Sequence, residues 1–141
     1  MKIRAIFAGV LLSAALSAGA LAANVMYKAN LSGPQEVPPN DSKGGGAADL
    51  TYDPATKKLS WKITYSGLSG PATAAHIHGP AEPGKNAAVV IKFANPASPI
   101  EGSATLTDAQ AADLAAGMDY INVHTAEHKS GEIRGQIEPA K

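Results

Sequence analysis

Residues 59–65 of this chain, Leu-Ser-Trp-Lys-Ile-Thr-Tyr, alternate apolar and polar side chains without interruption. Side chains of an extended strand point in turn to its two faces, so Leu59, Trp61, Ile63 and Tyr65 form one apolar face. A chain built from such pieces must pair them into a sheet and bury one side of it. The same alternation recurs, in shorter form, with Val25, Tyr27, Ala29 and Leu31, and further short strands are predicted over residues 47–52, 74–78, 88–93 and 102–106. Between them the chain is punctuated by glycine and proline, as in Ser32-Gly-Pro-Gln-Glu-Val-Pro-Pro-Asn40, Gly44-Gly-Gly46, Asp53-Pro-Ala-Thr-Lys57 and Asn95-Pro-Ala-Ser-Pro99. Proline lacks the donor that a sheet ladder needs, so these segments end strands or form ordered loops. One helix is expected over residues 107–117: Thr107 and Gln110 make a capping box, Asp108 suits the positive end of the helix, and Gly117 supplies a left-handed stop. The expected fold is all-β, an antiparallel β-sandwich or partly closed Greek-key barrel with one short crossover helix.

With 141 residues there is room for one modest core. The first 22 residues are set apart from it: Lys2 and Arg4 precede an apolar run at 5–16, and Ala20-Leu-Ala22 is a permissible cleavage site. A secretory signal peptide at 1–22 and a mature domain at 23–141 are therefore expected, with an exported, periplasmic or secreted, location. The run is too short and too broken by Gly9, Ser13 and Ser17 for a membrane span. The full chain carries equal numbers of acidic and basic residues, and loss of Lys2 and Arg4 leaves the mature part slightly acidic. That balance argues against nucleic acid or an anionic membrane as a partner. Cysteine is absent, which excludes disulfides, thiolate metal sites and a lipidated N-terminal cysteine.

The four histidines fall in two clusters. In Ala75-His-Ile-His-Gly79, Ile77 points inward and His76 and His78 project side by side from the other face. In residues 119–137, a closing hairpin, burial of Ile121, Val123, Ile133 and Ile137 places Asn122, His124, Glu132, Arg134 and Gln136 together on the outer face. Two histidines at i and i+2 on a strand, joined by a third from an adjacent strand, make a three-nitrogen set suited to copper or zinc. His76, His78 and His124 are the expected ligands, with His128 or water at an open position. Asn122, Glu132 and Arg134 are expected around them, Glu132 accepting from a ligand's second ring nitrogen. Copper is favoured because every candidate donor is nitrogen and Cu(II) binds most tightly among common divalent ions; zinc remains the alternative.

Three ordered motifs carry a family resemblance: Leu31-Ser-Gly-Pro-Gln-Glu-Val-Pro-Pro39, Ala75-His-Ile-His-Gly-Pro-Ala81, and Tyr120-Ile-Asn-Val-His-Thr125 followed by Gly131-Glu-Ile-Arg-Gly-Gln-Ile137. They resemble the successive motifs of the CHRD (chordin-type) domain, over nearly the whole mature chain. The matching positions are His76, His78, His124, Glu132 and Arg134, whereas His128 falls where the family's turn varies. The resemblance implies an exported domain type more than an activity. The His-x-His strand joined by a late histidine is also similar in arrangement to the copper side of copper/zinc superoxide dismutases. The second metal's ligands, the bridging histidine segment and the disulfide have no counterpart, so dismutase activity is not carried over.

Other readings stay open. The histidines can be structural, bonded to Asn122 and Gln136, in a module that docks an extracytoplasmic protein partner through its polar face and the loop at 33–40. Arg134 and Glu132 read as a structural ion pair, with Glu36 or Asp119 as further partners. Trp61 and the tyrosines are phased with the core and read as packing. No nucleophile elbow, phosphate loop or acid/base carboxylate pair is present, so an enzyme is the minority reading, as a copper-dependent redox catalyst.

Overall fold

The computed structural model describes residues 22–141; the expected leader at 1–22 lies, but for its last residue, outside the described residues. The chain runs through β1 (Val25–Ser32), a 3-10 turn (Gly33–Gln35), β2 (Gly45–Asp53), β3 (Lys58–Ser66), β4 (Ala72–His78), β5 (Val89–Lys92), β6 (Ile100–Thr105), α1 (Asp108–Ala115), β7 (Tyr120–Thr125), β8 (Ile133–Gln136) and β9 (Glu138–Pro139). All strand pairs are antiparallel, in the order β5-β4-β7-β8-β1-β2-β3-β6, with β9 also on β1. The sheet curls into a nearly closed barrel. Between its end strands β5 and β6, the gap is bridged by side chains: Trp61 of β3 meets Phe93 just after β5, ring centroids 5.0 Å apart.

The inward faces follow the alternation. Leu50, Ile63, Ala75, Ile121, Val123, Ile133 and Ile137 have no exposed surface, and Leu59 and Ile77 almost none. At about 25 cal/mol per Å² of apolar area removed from water, this shared core drives the fold. The second glycine of the closing motif is explained by crowding. A β-carbon on Gly135 would run into the backbone oxygen of Asn30, so only glycine lets β8 lie this close to β1.

The helix forms where its caps predict. Thr107 Oγ1 accepts from Gln110 N at 3.2 Å while Gln110 Oε1 accepts from Thr107 N at 2.9 Å, and Gly117 follows at φ +73°. Leu114 is its one buried side chain and joins the shared core, so α1 contributes to that core without organising it. For the site, the decisive pairing is β4 with β7. The chain crosses from β3 to β4, and this places the His-x-His strand beside the first strand of the closing hairpin.

Candidate metal centre

Register sets the cluster. His76 lies opposite Asn122, His78 opposite Tyr120 and Ala74 opposite His124. With Ala75, Ile77, Ile121 and Val123 turned into the core, the outer face of β4 and β7 must carry His76, His78, Tyr120, Asn122 and His124. The three imidazoles are each partly buried and offer ligand nitrogens that all lie within 4.8 Å of one another. His76 Nδ1 is 3.1 Å from His124 Nε2, and the His76 and His124 rings meet edge to face with centroids 5.0 Å apart. A metal held by nitrogens at about 2.0–2.1 Å needs them roughly 3.3–3.5 Å apart. Small ring rotations would close the set.

Counting protons gives the arrangement its chemical sense. His78 Nδ1 lies 3.0 Å from the backbone oxygen of Ala87, and His124 Nδ1 lies 2.8 Å from that of Lys129. A carbonyl oxygen only accepts, so both Nδ1 atoms carry the hydrogen and, in the neutral rings, both Nε2 atoms are bare lone pairs. These Nε2 atoms face Asn122 Oδ1, at 2.9 Å from His78 and 3.0 Å from His124. Two lone-pair nitrogens and an amide oxygen thus converge. A backbone carbonyl on the far nitrogen is the usual device for orienting a metal-binding imidazole.

The surroundings favour the neutral forms of His76 and His78. Burial is the main cause that lowers His76 to about 4, with His124, His78 and Lys92 adding to it. His78 is also lowered, chiefly by burial, with His124 and Arg134 acting the same way; the Ala87 carbonyl and the Asn122 amide, which would accept from the protonated ring, oppose it. Its ring stacks on Tyr120, centroids 4.9 Å apart and 4° from parallel. On Tyr120 lies the Arg134 guanidinium, 3.5 Å from the ring centroid. The loop between β4 and β5 holds that cation through Lys85 O at 2.6 Å and Asn86 Oδ1 at 3.0 Å. Arg134, Tyr120 and His78 form one continuous stack.

Several expectations need correction. Glu132 does not reach a histidine. Its N–H donates to Val123 O, yet Val123 is the register partner of Ile133, so two residues oppose one and the alternation slips. The side chain turns to the other side, fully buried, and accepts from Ser42 Oγ (2.7 Å), Thr125 Oγ1 (2.8 Å) and the N–H and hydroxyl of Ser69. Arg134 is not ion-paired with Glu132, Asp119 or Glu36. Among the described residues the ion pairs are Lys57–Asp108 and Lys62–Glu101, both at the surface. Arg134 reaches the centre through Tyr120 instead. His128 does not join the three-histidine group; it contributes main-chain bonds to the β7–β8 turn. Gln136 donates to Ala81 O and Gly117 O and so stays out of any histidine network. Two neighbours escaped the sequence reading. Tyr120 shares the parity of Asn122 and His124, a signal that its aromatic character masked, and Lys92 becomes a neighbour of His76 only through the β4–β5 register.

The fold and the site together describe an antiparallel barrel bearing a histidine cluster on its outer wall. Residues 27–137 match the family model of the CHRD domain, and the chain belongs to that family. CHRD domains are typically extracellular or periplasmic, and no helix among the described residues is long and apolar enough to cross a membrane. No curated protein and no solved structure matches the chain.

Proposed function

We propose that this CHRD domain binds one metal ion, copper in the first place and zinc as the alternative, through His76, His78 and His124. Its role is binding, storage or delivery of the ion outside the cytoplasm. One observation carries the reading: the Nδ1–H groups of His78 and His124 are both spent on backbone carbonyls, so their Nε2 lone pairs both turn toward His76, whose Nδ1 lies 3.1 Å from His124 Nε2. In the metal-free protein a hydrogen on His76 Nδ1 can serve one of these lone pairs, and a bound cation would take all three nitrogens at once. All candidate donors are imidazole nitrogens, the ligand type that suits copper and zinc. Lys92 and Arg134 are the cations that act on the rings, and no thiolate is available.

The test is calorimetric titration of the purified domain with Cu(II) and with Zn(II) at about pH 7.5. One ion per chain is expected, with a loss of at least about tenfold in affinity for His76→Ala and for His124→Ala. A His128→Ala variant should bind as the parent does. Absence of saturable one-to-one binding, or affinity unchanged in both ligand variants, would favour a protein-interaction module with structural histidines.

A further inference from the structure

Glu36 is a buried titratable group to which the metal centre as described assigns no part. It stands just after the 3-10 turn that follows β1, is only 4% exposed, and its Oε1 is buried without a hydrogen bond. The carboxyl and the side-chain nitrogen of Asn122 crowd one point above Gly131. A β-carbon there would collide with the Glu36 carboxyl and come within 2.8 Å of Asn122 Nδ2, and Gly131 moreover sits at φ +127°. Asn122 therefore spans two environments, with Glu36 beside its nitrogen and His78 and His124 beside its oxygen.

An amide has an end that only donates and an end that only accepts. With a cation among the three imidazoles, an N–H pointing inward is repelled, so Oδ1 must face the centre. Nδ2 then faces Glu36, which has to be a carboxylate to accept from it. In an empty centre His76 Nδ1 can donate to His124 Nε2, but the bare Nε2 of His78 still calls for a donor, and half a turn of the amide supplies Nδ2 to it. Oδ1 then faces Glu36, which has to be protonated to donate. As placed here, the amide turns Oδ1 to His78 and His124 and Nδ2 to the Glu36 side.

We propose that metal entry and a proton on Glu36 exclude each other through the orientation of the Asn122 amide, making Glu36 a positioning residue of the centre. The inference rests on the metal reading above. Burial pushes Glu36 up to about 7 against the opposing pull of Arg134, the Asn122 amide and the Val37 backbone, so both protonation states are within reach near neutral pH. The charged groups around it are Arg134 from β8 and, lining the same cavity of about 370 Å³, Glu138 from β9; His78 and His124 stand beyond Asn122. That cavity, walled by Pro34, Val37, Pro39 and Pro83, gives the released proton a way to solvent.

The experiment titrates Zn(II) calorimetrically into the parent and into Glu36→Gln, in two buffers of different ionisation heat, at about pH 6 and about pH 8. At about pH 6 the parent should release close to one proton more per Zn(II) than the variant, and the difference should vanish at about pH 8. Between those values the parent's affinity should fall about tenfold further than the variant's. Equal proton release at about pH 6, with both proteins binding Zn(II), overturns the coupling and leaves the metal centre standing. No Zn(II) binding by the parent overturns the metal reading, and the coupling falls with it. Should the variant not fold, carboxyl carbon-13 NMR of the parent decides: Glu36 should titrate near pH 7 without Zn(II) and stay ionised to below about pH 6 with it. A Glu36 signal indifferent to Zn(II) overturns the coupling.

Discussion

Two buried glutamates in this barrel are shifted in opposite directions from the usual carboxylate pKa, and the difference is in their donors. Burial alone would raise Glu132, but hydrogen bonds from Ser69, Ser42 and Thr125 outweigh it and hold the carboxyl at about 2. Glu36 has no such set and is pushed up to about 7, and Asp119, its Oδ1 buried without a partner, rises likewise to about 7 through burial and the nearby Asp113. The consequences for stability have opposite signs. Glu132 is depressed, so its contribution is full above about 4.5 and is lost as pH falls toward 2. Asp119 is raised, so its contribution is full below about 3.8 and is lost as pH rises through about 7. Glu132→Gln should therefore destabilise the domain at neutral pH by on the order of 2–3 kcal/mol, an effect that shrinks in acid. Asp119→Asn should stabilise it at about pH 8 by on the order of 1–3 kcal/mol and do little at about pH 4. Urea unfolding of both variants across that range checks the pair, and parallel pH profiles would contradict it.

At the scale of elements, the closing hairpin does most to shape the site. Gly131 and Gly135 bracket the short stretch in which the β7–β8 ladder slips by one residue, sends Glu132 inward and leaves Arg134 on the outer face over Tyr120. The backbone of β8 runs against that of β1 at Gly135, where a methyl group would meet Asn30 O. Gly135→Ala should cost on the order of 2–4 kcal/mol through this backbone overlap, measured as a lowered denaturation midpoint with an unchanged slope. An alanine tolerated at wild-type stability would mean that β1 and β8 separate more easily than their packing implies. The alternation of residues 119–137 made the hairpin and the outward direction of Asn122 and His124 legible. It misplaced Glu132, because a single extra residue in a ladder inverts every side chain before it and leaves no mark on the apolar pattern.

For the whole molecule, the centre ties together parts of the barrel that are far apart in sequence. His76 and His124 are 48 residues apart, and a metal between them would staple β4 to β7, one strand in from the edge strand β5. Binding only to the folded state stabilises it, by about 2.7 kcal/mol at a metal concentration a hundredfold above Kd. Thermal unfolding with Zn(II) at that excess should thus move upward by roughly 8–14 °C at about pH 7.5 and return to the metal-free value with a chelator. No shift in either Zn(II) or Cu(II) would speak against a native metal site.

Much of this could be read from the chain alone: the short strands and their inward faces, the capped helix, and the outward parity of His76, His78, Asn122 and His124. These depend on the local period of side-chain direction, which every few residues carry within themselves. Tertiary structure decided that β4 lies beside β7, that Tyr120 and Arg134 stack behind His78, and that Glu36 comes to rest against Asn122. It also decided which tautomers the histidines adopt, since the groups that take their Nδ1 hydrogens are main-chain carbonyls of Ala87 and Lys129. Every residue has such a carbonyl, so nothing in the order of side chains marks the two that matter; only the path of the folded backbone brings them there.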